Sequence, residues 1–221
     1  MPTPRQEKKP SLLVIGGGGH GRVVLEAAFL SGQFARVVAI DPEASKNWSL
    51  SFADCVSDEI EVVRPGETWL FVPAVGSAVL RKKFLNTYRE KGFSPASVFH
   101  PASVVSPSAQ MGLGSVVLAA GIVAVQAKIG DGVIVNNGAI VEHDCKVGDF
   151  SHLAPGAVLA GGSSLGSGCF LGANSSVRHG TSVTSEVIIG HGAVVTRDIT
   201  TPGTFVGNPA RRLLERVKVT E

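Results

Sequence analysis

Aliphatic residues recur at every sixth position through the second half of the chain, from Val105 to Val195. A helix repeats at about 3.6 residues and a strand at about 2, so neither element has this period. The residue four positions further on is mostly small, as at Ala109, Ala127 and Cys145. One hexad can form a short flat side and a corner, and three sides close a triangular coil of about eighteen residues. The pattern predicts stacked coils with aliphatic interiors, as in a left-handed parallel β-helix.

Before the hexads, short apolar runs alternate with amphipathic stretches. The segment SLLVIGGGGHGRVVLEAAFLSG predicts a strand, a glycine-rich turn and a helix, and ARVVAIDPEAS predicts a second strand that ends at Asp41. A third strand is predicted in TWLFVPAVGS. The helix predicted in SAVLRKKFLNTYREKG has apolar residues on one side: Val79, Leu80, Phe84, Leu85 and Tyr88. Strands that alternate with helices indicate a small parallel sheet flanked by helices.

These two patterns predict an α/β domain, with a small Rossmann-like parallel sheet, followed by a left-handed parallel β-helix. We expect a flexible tail at 1–10, the sheet domain at 11–97, the β-helix at 98–203 and a C-terminal loop and tail at 204–221. The sheet domain is too short to hold both halves of a full dinucleotide-binding fold.

Composition narrows the class of protein. Charged residues make up 17% of the chain and the net charge is +2, so neither nucleic acid nor a membrane surface is an expected partner. The N-terminal run LLVI is too short for the core of a signal peptide, and we expect no membrane insertion. The cysteines Cys55, Cys145 and Cys169 show neither metal spacing nor even pairing. That cysteine usage favours a reducing, cytoplasmic location.

The hexads resemble those of the hexapeptide-repeat acyltransferase superfamily. Three segments are similar to the nucleotide-sugar N-acetyltransferases that make bacillosamine, perosamine and related 4-amino sugars: VIGGGGHGRVVLEAA, NNGAIVEHDCKVGDFSHLAPGAVLAGG and GTFVGNPARRL. Members that resemble sialic-acid O-acetyltransferases share much of this pattern. The resemblance implies acetyl-CoA as the donor, a homotrimer whose prism sides face one another, and a donor site in the cleft between two subunits.

The segment VEHDC contains the predicted catalytic histidine. His143 lies two residues past the interior-facing Val141, so we expect it to point outward from a corner. A neutral imidazole with a pKa near 6.5 can take the proton of an amine that attacks a thioester. Asp144 can fix the tautomer of the imidazole, and the resemblance places Asn136 near the acceptor. Cys145 offers a covalent alternative, but its small inward position predicts a buried, inert thiol.

The resemblance implies a second set of residues at acetyl-CoA. His152 is expected near a corner and matches a histidine at the thioester end, where a donor can stabilise the developing oxyanion. A structural histidine in a turn is the alternative. In GNPARR, Pro209 belongs to a loop that borders CoA, and Arg211 either meets its 3′-phosphate or stays solvated. The other residues implied at acetyl-CoA are Gly161, Gly172, Ala173 and Gly190.

GGGGHG fits the G-x-G-x-x-G pattern of a dinucleotide site, with Asp41 after the next strand. Because the sheet is short and the turn carries the bulky His20, we favour one nucleotide-linked sugar over NAD. The glycines would form a backbone cradle for phosphate at a helix N-terminus. Gly76 and Ser77 follow the third strand at the same sheet edge, and Arg81 can meet phosphate. The predicted nucleotide-sugar residues are Gly18, Gly19, His20, Gly21, Asp41, Gly76, Ser77 and Arg81.

The sequence thus predicts an acetyl-CoA-dependent N-acetyltransferase. Its expected acceptor is the 4-amino group of a nucleotide-linked 4-amino-4,6-dideoxy sugar of the perosamine, bacillosamine or viosamine type. His143 acts as general base, and the amine attacks the thioester directly, without a covalent enzyme intermediate. The first alternative is a sugar O-acetyltransferase of the sialic-acid type. Further alternatives are a solenoid scaffold, a β-helical carbonic anhydrase and a nucleotide-sensing regulator, and we expect no metal because the histidines lack ligand spacing.

Overall fold

The computed structural model describes residues 9–43, 46 and 48–213 of the 221-residue chain. Residues 1–8 and 214–221, which belong to the two predicted tails, lie outside the described residues. Within the described part, an α/β unit comes first and a stack of β-coils follows. The predicted fold class, a small parallel sheet domain followed by a β-helix, is therefore confirmed.

The N-terminal unit is a parallel sheet with one helix on each side. Alternate residues of its first strand face opposite helices, with Leu12 and Val14 on one side and Leu13 and Ile15 on the other. This alternation is expected for a strand that is buried on both faces. In chain order the elements are β1 Ser11–Ile15, α1 Gly19–Ser31, β2 Val37–Ile40, β3 Asp54–Val56, a 3₁₀ turn Glu59–Glu61, β4 Trp69–Pro73, α2 Ala78–Glu90 and β5 Ser94–Pro95.

The sheet contains two strands that the hydrophobic pattern did not predict. Its order is β3-β2-β1-β4-β5, so the strand predicted third is β4. The two missed strands are only three and two residues long, and neither has a buried residue. Short, partly exposed strands give no apolar run to detect.

The strand order places the glycine-rich turn at a binding edge. The chain leaves β1 to build β2 and β3 on one side of it, and β4 and β5 lie on the other side. Strand order therefore reverses between β1 and β4, and open parallel sheets bind ligands beyond the carboxyl ends of their strands at such a point. The glycine-rich turn after β1 and the loop 74–77 after β4 meet there.

The β-helix has three parallel sheets, and each strand pairs with the strand one coil away. We name the sheets by their outer surfaces. The covered face contains β6 Val98–Phe99, β9 Val116–Val117, β12 Ile134–Val135, β15 His152–Leu153, β18 Phe170–Leu171, β21 Val187–Ile189, β23 Gly203–Val206 and the antiparallel β24 Arg211–Arg212. The aliphatic face contains β7 Val104–Val105, β10 Ile122–Val123, β13 Ile140–Val141, β16 Val158–Leu159, β19 Ser176–Val177 and β22 Val194–Val195. The polar face contains β8 Gln110–Met111, β11 Lys128–Ile129, β14 Lys146–Val147, β17 Ser164–Leu165 and β20 Ser182–Val183.

The interior of the coils is filled as the hexads predict. The second residue of each two-residue strand points inward, and from Val117 onward these residues are buried. The small positions also face inward, and Cys145, Ser151 and Ala157 are fully buried. Large aliphatic and small side chains thus alternate inside the prism.

Three corners connect the faces, and each recurs in every coil. The crevice corner follows a strand of the covered face, as at 136–139. The histidine corner follows a strand of the aliphatic face, as at 142–145. The docking corner follows a strand of the polar face, as at 148–151. The histidine corner is therefore the one opposite the covered face.

The N-terminal unit packs on the lower part of the covered face. Helix α1 shares a buried apolar cluster with the outward residues Val98, Val116 and Ile134. Further up the same column, the outward residues are His152, Phe170 and Ile188, and Ile188 is 47% exposed. Packing of α1 thus ends near His152.

The predicted apolar side of α2 is partly wrong. Leu85 and Tyr88 are buried as expected, but Val79 and Leu80 are exposed, and Arg81 is buried. The buried residues still follow helical spacing, but a charged residue occupies one of the positions. No helix in the described part of the chain is both long and apolar enough to cross a membrane.

Candidate functional site

The glycine-rich turn is tightly packed on one side and open on the other. Gly16 has a φ of +115°, and a Cβ on Gly21 would overlap the carbonyl oxygen of Gly16. A Cβ on Gly18 or Gly19 would meet nothing within 4 Å. Gly18 is also the N-cap of α1 and carries no capping side chain, so the first amide groups of the helix face an open space.

Three residues predicted at the nucleotide have structural contacts in this region. Asp41 accepts a hydrogen bond from the amide of Gly17 at 2.8 Å through Oδ2 and another from the Glu43 amide at 3.0 Å through Oδ1. Ser77 is the N-cap of α2 and accepts from the Leu80 amide at 3.4 Å. Gly76 lies at the same edge and its carbonyl accepts a hydrogen bond from Arg81. Asp41 thus holds the glycine turn, and Ser77 starts the helix.

His20 and His152 meet where the two units of the chain touch. Their ring centroids lie 6.0 Å apart. Nε2 of His20 and Nδ1 of His152 are both buried and have no hydrogen-bond partner. His152 directly follows the docking corner 148–151, close to a corner as expected, and it lies on β15 and points outward from the covered face. The sheet domain and the β-helix thus each place one histidine ring, with a buried and unpaired nitrogen, where the two units touch, and we call this region the crevice.

Asn136 fixes the tautomer of His152. Its Oδ1 accepts from the Asn137 amide at 2.8 Å, which leaves Nδ2 as the donor to Nε2 of His152 at 3.1 Å. The ring proton of neutral His152 is then on the unpaired Nδ1. Burial, and then the charge of Arg81, lowers the pKa of His152 to about 3 and that of His20 to about 4. Both rings are therefore neutral at physiological pH.

Arg81 does not face the open space where a phosphate would lie. The side chain is 1% exposed, and its guanidinium donates to carbonyl oxygens of Val75, Gly76, Gly132 and the Phe150–Ser151 segment. Burial lowers its pKa to about 10, so it stays charged at neutral pH. The predicted phosphate contact is therefore wrong, since the donors are directed to the backbone.

His143 lies at the histidine corner, exposed as predicted. Its side chain and that of Asp144 are 62% and 63% exposed, and Nδ1 of His143 lies 2.8 Å from Oδ2 of Asp144. Asp144 has a φ of +60°, a conformation that Asp tolerates better than most residues. The hydrogen bond that the His143 ring donates to Asp144 raises the pKa of His143. The pair leaves Nε2 of His143 free to accept a proton.

Gly161 provides the space for the His143 ring. It occupies the histidine corner one coil above, and a Cβ there would lie 2.5 Å from Nε2 of His143. Cys145, next in the chain, is fully buried, and its thiol donates to the carbonyl of Ala160 at 3.2 Å. The predicted burial of Cys145 is confirmed, which argues against a thiol nucleophile.

Most of the other residues predicted at acetyl-CoA lie at the crevice corner. A Cβ on Gly172 would lie 2.6 Å from the amide nitrogen of His191, so the coils approach closely there. Ala173 donates its amide hydrogen to Nδ1 of His191 at 3.0 Å. Gly190 lies above Gly172 at the same corner. Pro209 follows a cis peptide bond after the last coil, and Arg211 is exposed on β24.

The structure therefore separates the predicted residues into two groups within one chain. His143, Asp144 and Gly161 share the histidine corner. Asn136, His152 and His20 meet beside the covered face and the crevice corner. The predicted catalytic trio is thus not assembled by one chain, because Asn136 lies at a different corner from His143.

Phe170 is a neighbour of the site that the sequence analysis missed. Its ring meets that of His152 edge-on, with centroids 5.2 Å apart. On its other side, His191 lies 6.3 Å from the same ring. The sequence signal was available, because Phe170 is one coil after His152 in the hexad register. Among the residues described, no group of three or more His, Cys, Asp or Glu side chains could hold a metal ion.

Two family models match the chain. The PglD N-terminal domain matches residues 11–88. The bacterial transferase hexapeptide model, which spans six repeats, matches residues 126–161 and 162–197. No curated protein sequence matches.

Solved structures match nearly the whole chain. The acetyltransferase domain of PglB from Neisseria gonorrhoeae, in complex with acetyl coenzyme A, is 35% identical over 94% of this chain and 100% of its own, with a TM-score of 0.86. PerB from Caulobacter crescentus, in complex with CoA and GDP-perosamine, is 34% identical over 92% of this chain and 97% of its own, with a TM-score of 0.81. A histidine-to-alanine mutant of GDP-perosamine N-acetyltransferase from the same organism, with the same ligands, is 34% identical over 93% and 97%, with a TM-score of 0.83.

Proposed function

Since this chain belongs to the hexapeptide-repeat acyltransferases that include PglB and PerB, we propose that it transfers the acetyl group of acetyl-CoA to the 4-amino group of a nucleotide-linked 4-amino-4,6-dideoxy sugar. PglB was solved with acetyl coenzyme A, and PerB with CoA and GDP-perosamine. The third structure compared above is named as a GDP-perosamine N-acetyltransferase. That name favours an amine over a sugar hydroxyl as the acceptor.

The observation that carries the proposal is the exposed His143–Asp144 pair. Asp144 accepts the Nδ1 proton of the neutral ring, so the Nε2 lone pair is free to take up a proton. As the sugar amine attacks the thioester carbonyl, a C–N bond forms and Nε2 of His143 takes the amine proton. The C–S bond then breaks, and the proton passes to the thiolate of CoA. The adjacent carboxylate stabilises the imidazolium in the meantime.

The proposed acceptor site is the crevice formed by the glycine turn, His20 and His152. The open amides at the start of α1 suit the diphosphate of a nucleotide sugar. The rings of His20 and His152 are neutral, and each has a buried nitrogen without a partner, which we propose as the groups that hydrogen-bond to the substrates once these are bound. In the proposed acceptor set, Asp41, Gly76 and Ser77 hold the turn and the neighbouring loop rather than contact the ligand.

The outer surfaces of the β-helix support a homotrimer. On the aliphatic face, the outward residue is aliphatic in five of six strands: Val104, Ile122, Ile140, Val158 and Val194. Val104 is 61% exposed in the single chain. The polar face presents lysine, serine and glutamine instead. A largely aliphatic surface of this kind is covered when copies pack around a rotation axis.

Such a trimer would also complete the active site. The crevice corner and the histidine corner are the two edges of the aliphatic face. When three aliphatic faces pack around one axis, the histidine corner of each protomer meets the crevice corner of the next. His143 of one chain would then face the His20–His152 crevice of its neighbour, with acetyl-CoA in the cleft between them. A cleft of this kind would explain why the residues predicted to bind acetyl-CoA lie at both corners. Gly161 lies at the histidine corner, and Gly172, Ala173 and Gly190 lie at the crevice corner.

A substrate panel tests the proposal directly. The wild-type protein is incubated with acetyl-CoA and with UDP-, GDP- and dTDP-linked 4-amino sugars, and release of the CoA thiol is followed. We expect thiol release with at least one of them and an amide product. A matched acceptor with a hydroxyl in place of the amine should give none. Failure of every amino sugar would refute the proposal, and acetylation of the hydroxyl acceptor alone would establish the O-acetyltransferase alternative.

The Gly18→Val variant tests the acceptor site. Gly18 has an ordinary extended conformation and open space around its Cβ position, so valine should fold normally. We expect the KM for the nucleotide sugar to rise at least tenfold, because the side chain enters the phosphate cradle, while the KM for acetyl-CoA stays within twofold. An equal rise in both constants would show that the two substrates do not occupy separate regions.

A further inference from the structure

Arg81 is a buried cation whose hydrogen bonds all go to carbonyl oxygens. It is the largest fully buried side chain in the described part of the protein. None of the ion pairs found among the described residues includes it. Buried charges are normally paired with an opposite charge, because desolvation is costly. Because Arg81 is buried without a carboxylate partner, we infer that its charge and its hydrogen bonds have a specific role.

The carbonyls that surround Arg81 belong to both units of the protein. On the sheet side, Nη1 donates to Val75 at 3.0 Å and to Gly76 at 2.6 Å. On the β-helix side, Nε donates to Gly132 at 2.8 Å, and Nη2 donates to Phe150 and Ser151. The planar guanidinium, with its fixed fork of donors, suits several carbonyls at set angles. It connects the loop after β4 to two successive docking corners.

The loop held by Arg81 is in direct contact with the glycine turn. A Cβ on Gly16 would lie 2.8 Å from Cγ1 of Val75 and 3.1 Å from the carbonyl oxygen of Ala74. A Cβ on Gly21 would lie 3.5 Å from that same oxygen. The turn and the loop therefore pack backbone against backbone, and a shift of the loop displaces the turn that carries His20.

The other end of the connection reaches His152. Ser151, whose carbonyl accepts from Nη2 of Arg81, directly precedes His152 in the chain. The Ser151 side chain is bonded in turn to the carbonyl of Gly166 at 2.7 Å, which fixes it to the next coil. The Arg81 guanidinium thus binds Ser151, which precedes His152, and the Val75–Gly76 loop, which packs against the turn that carries His20.

We propose that Arg81 is a positioning residue that sets the distance between the glycine turn with His20 and the coil with His152. This role of Arg81 adds a positioning residue to the proposed acetyl-transfer site. Only its kinetic test depends on the proposed function. Arg81 touches neither substrate and acts through the Val75–Gly76 loop and Ser151.

The test compares Arg81→Lys with wild type and with Lys83→Met. Lysine keeps the positive charge, but its single ammonium group cannot reach the carbonyls on both sides at once. Lys83→Met removes a charge from the exposed surface of the same helix turn and is the matched control. We expect Arg81→Lys to raise the KM for the nucleotide sugar about tenfold and to lower kcat about tenfold, because both histidines are displaced from the substrates. The control should keep wild-type constants.

Hydrogen exchange measured by mass spectrometry provides a readout that needs no substrate. We expect amides of residues 16–22 and 74–77 to exchange at least tenfold faster in Arg81→Lys than in wild type, and at the wild-type rate in Lys83→Met. A folded Arg81→Lys protein with wild-type kinetic constants and wild-type exchange in both segments would overturn the proposal. If the wild type acetylates no amino sugar, the proposed function fails, and the exchange rates still decide the role of Arg81.

Discussion

The histidine corner and the crevice hold histidines in opposite environments. His143 is exposed and bonded to Asp144, which raises its pKa. His152 is buried beside the Arg81 cation, and its pKa falls to about 3. His143 is therefore exposed to solvent with a raised pKa, whereas buried His152 stays neutral. Exposure to solvent and contact with a carboxylate make a histidine ring fit to act as a base. Burial beside a cation keeps a histidine ring neutral, so that it can only donate or accept hydrogen bonds.

The largest expected effect comes from removing the base. His143→Ala should lower kcat by ~10²–10⁴-fold with little change in either KM, because the proton moves only as the amine attacks. Its free energy of unfolding should stay within about 0.5 kcal/mol of wild type, since the side chain is exposed. Steady-state kinetics and thermal melts check both. Cys145→Ala is the control and should keep near-normal turnover, so an inactive but folded Cys145→Ala protein would revive a thiol mechanism.

A smaller loss should follow when the base is only displaced. In Gly161→Ala, the new methyl group would lie 2.5 Å from Nε2 of His143 and force the ring to move. We expect kcat to fall about 10- to 100-fold, as for a catalytic group misplaced by about 1 Å. In the His143→Ala background the same change should cost nothing further. Additive losses in the double variant would mean that Gly161 acts on acetyl-CoA and not on the base.

The crevice histidines should affect stability in acid. Their folded pKa values, about 3 and 4, lie below the ordinary value of 6.5, so only the unfolded chain takes up these protons between those limits. Through these two rings, stability should therefore fall as the pH drops below about 6.5, by about 1.4 kcal/mol per pH unit for each ring, and above that pH the two rings should add no pH dependence. Urea unfolding from pH 7.5 to 5 measures the slope. His20→Asn and His152→Asn should each reduce it, and an unchanged slope in both would show that neither ring is held neutral.

The mildest effect should come from the partner of the base. Without the carboxylate, Asp144→Asn lowers the pKa of His143 back toward its ordinary value, so the acidic limb of the kcat profile should move to lower pH. Turnover at neutral pH should fall by roughly 3- to 10-fold, because the base is weaker and its tautomer is not fixed. The pH profile from 5 to 9 checks this, and a limb that stays in place would exclude His143 as the titrating group.

The sequence predicted the β-helix better than the contacts between the two units. The hexads place each interior side chain because every coil repeats the same steric requirement, and the outward position of His143 follows from the same register. The same register places His152 beside the docking corner and directly before interior-facing Leu153, whereas its role at the thioester was inferred from the resemblance.

Helix α2 shows why the rest of the site could not be predicted. A hydrophobic pattern assigns Val79 to the interior and Arg81 to the surface, and the structure has the reverse. Arg81 is buried because backbone carbonyls that lie 51 and 69 positions further along the chain converge on it. Every residue has the same backbone carbonyl, so the amino-acid sequence does not show which carbonyls approach a given side chain. Long-range polar contacts of this kind can be identified only from the three-dimensional structure.

Co-expression of two inactive variants tests most directly whether the two regions act together across a protomer boundary. His143→Ala lacks the base and Gly18→Val binds the nucleotide sugar weakly, so at a sugar concentration well below the raised KM each variant alone should have little activity. When equal amounts of the two variants assemble at random, each mixed cyclic trimer pairs an intact histidine corner with an intact crevice at one of its three sites, which is about one site in four over the whole mixture. We predict that the purified mixture regains roughly a quarter of the wild-type rate at that sugar concentration. If the mixture stays as inactive as its parents while mixed trimers are present, the base and the crevice act within one chain, and the account is wrong.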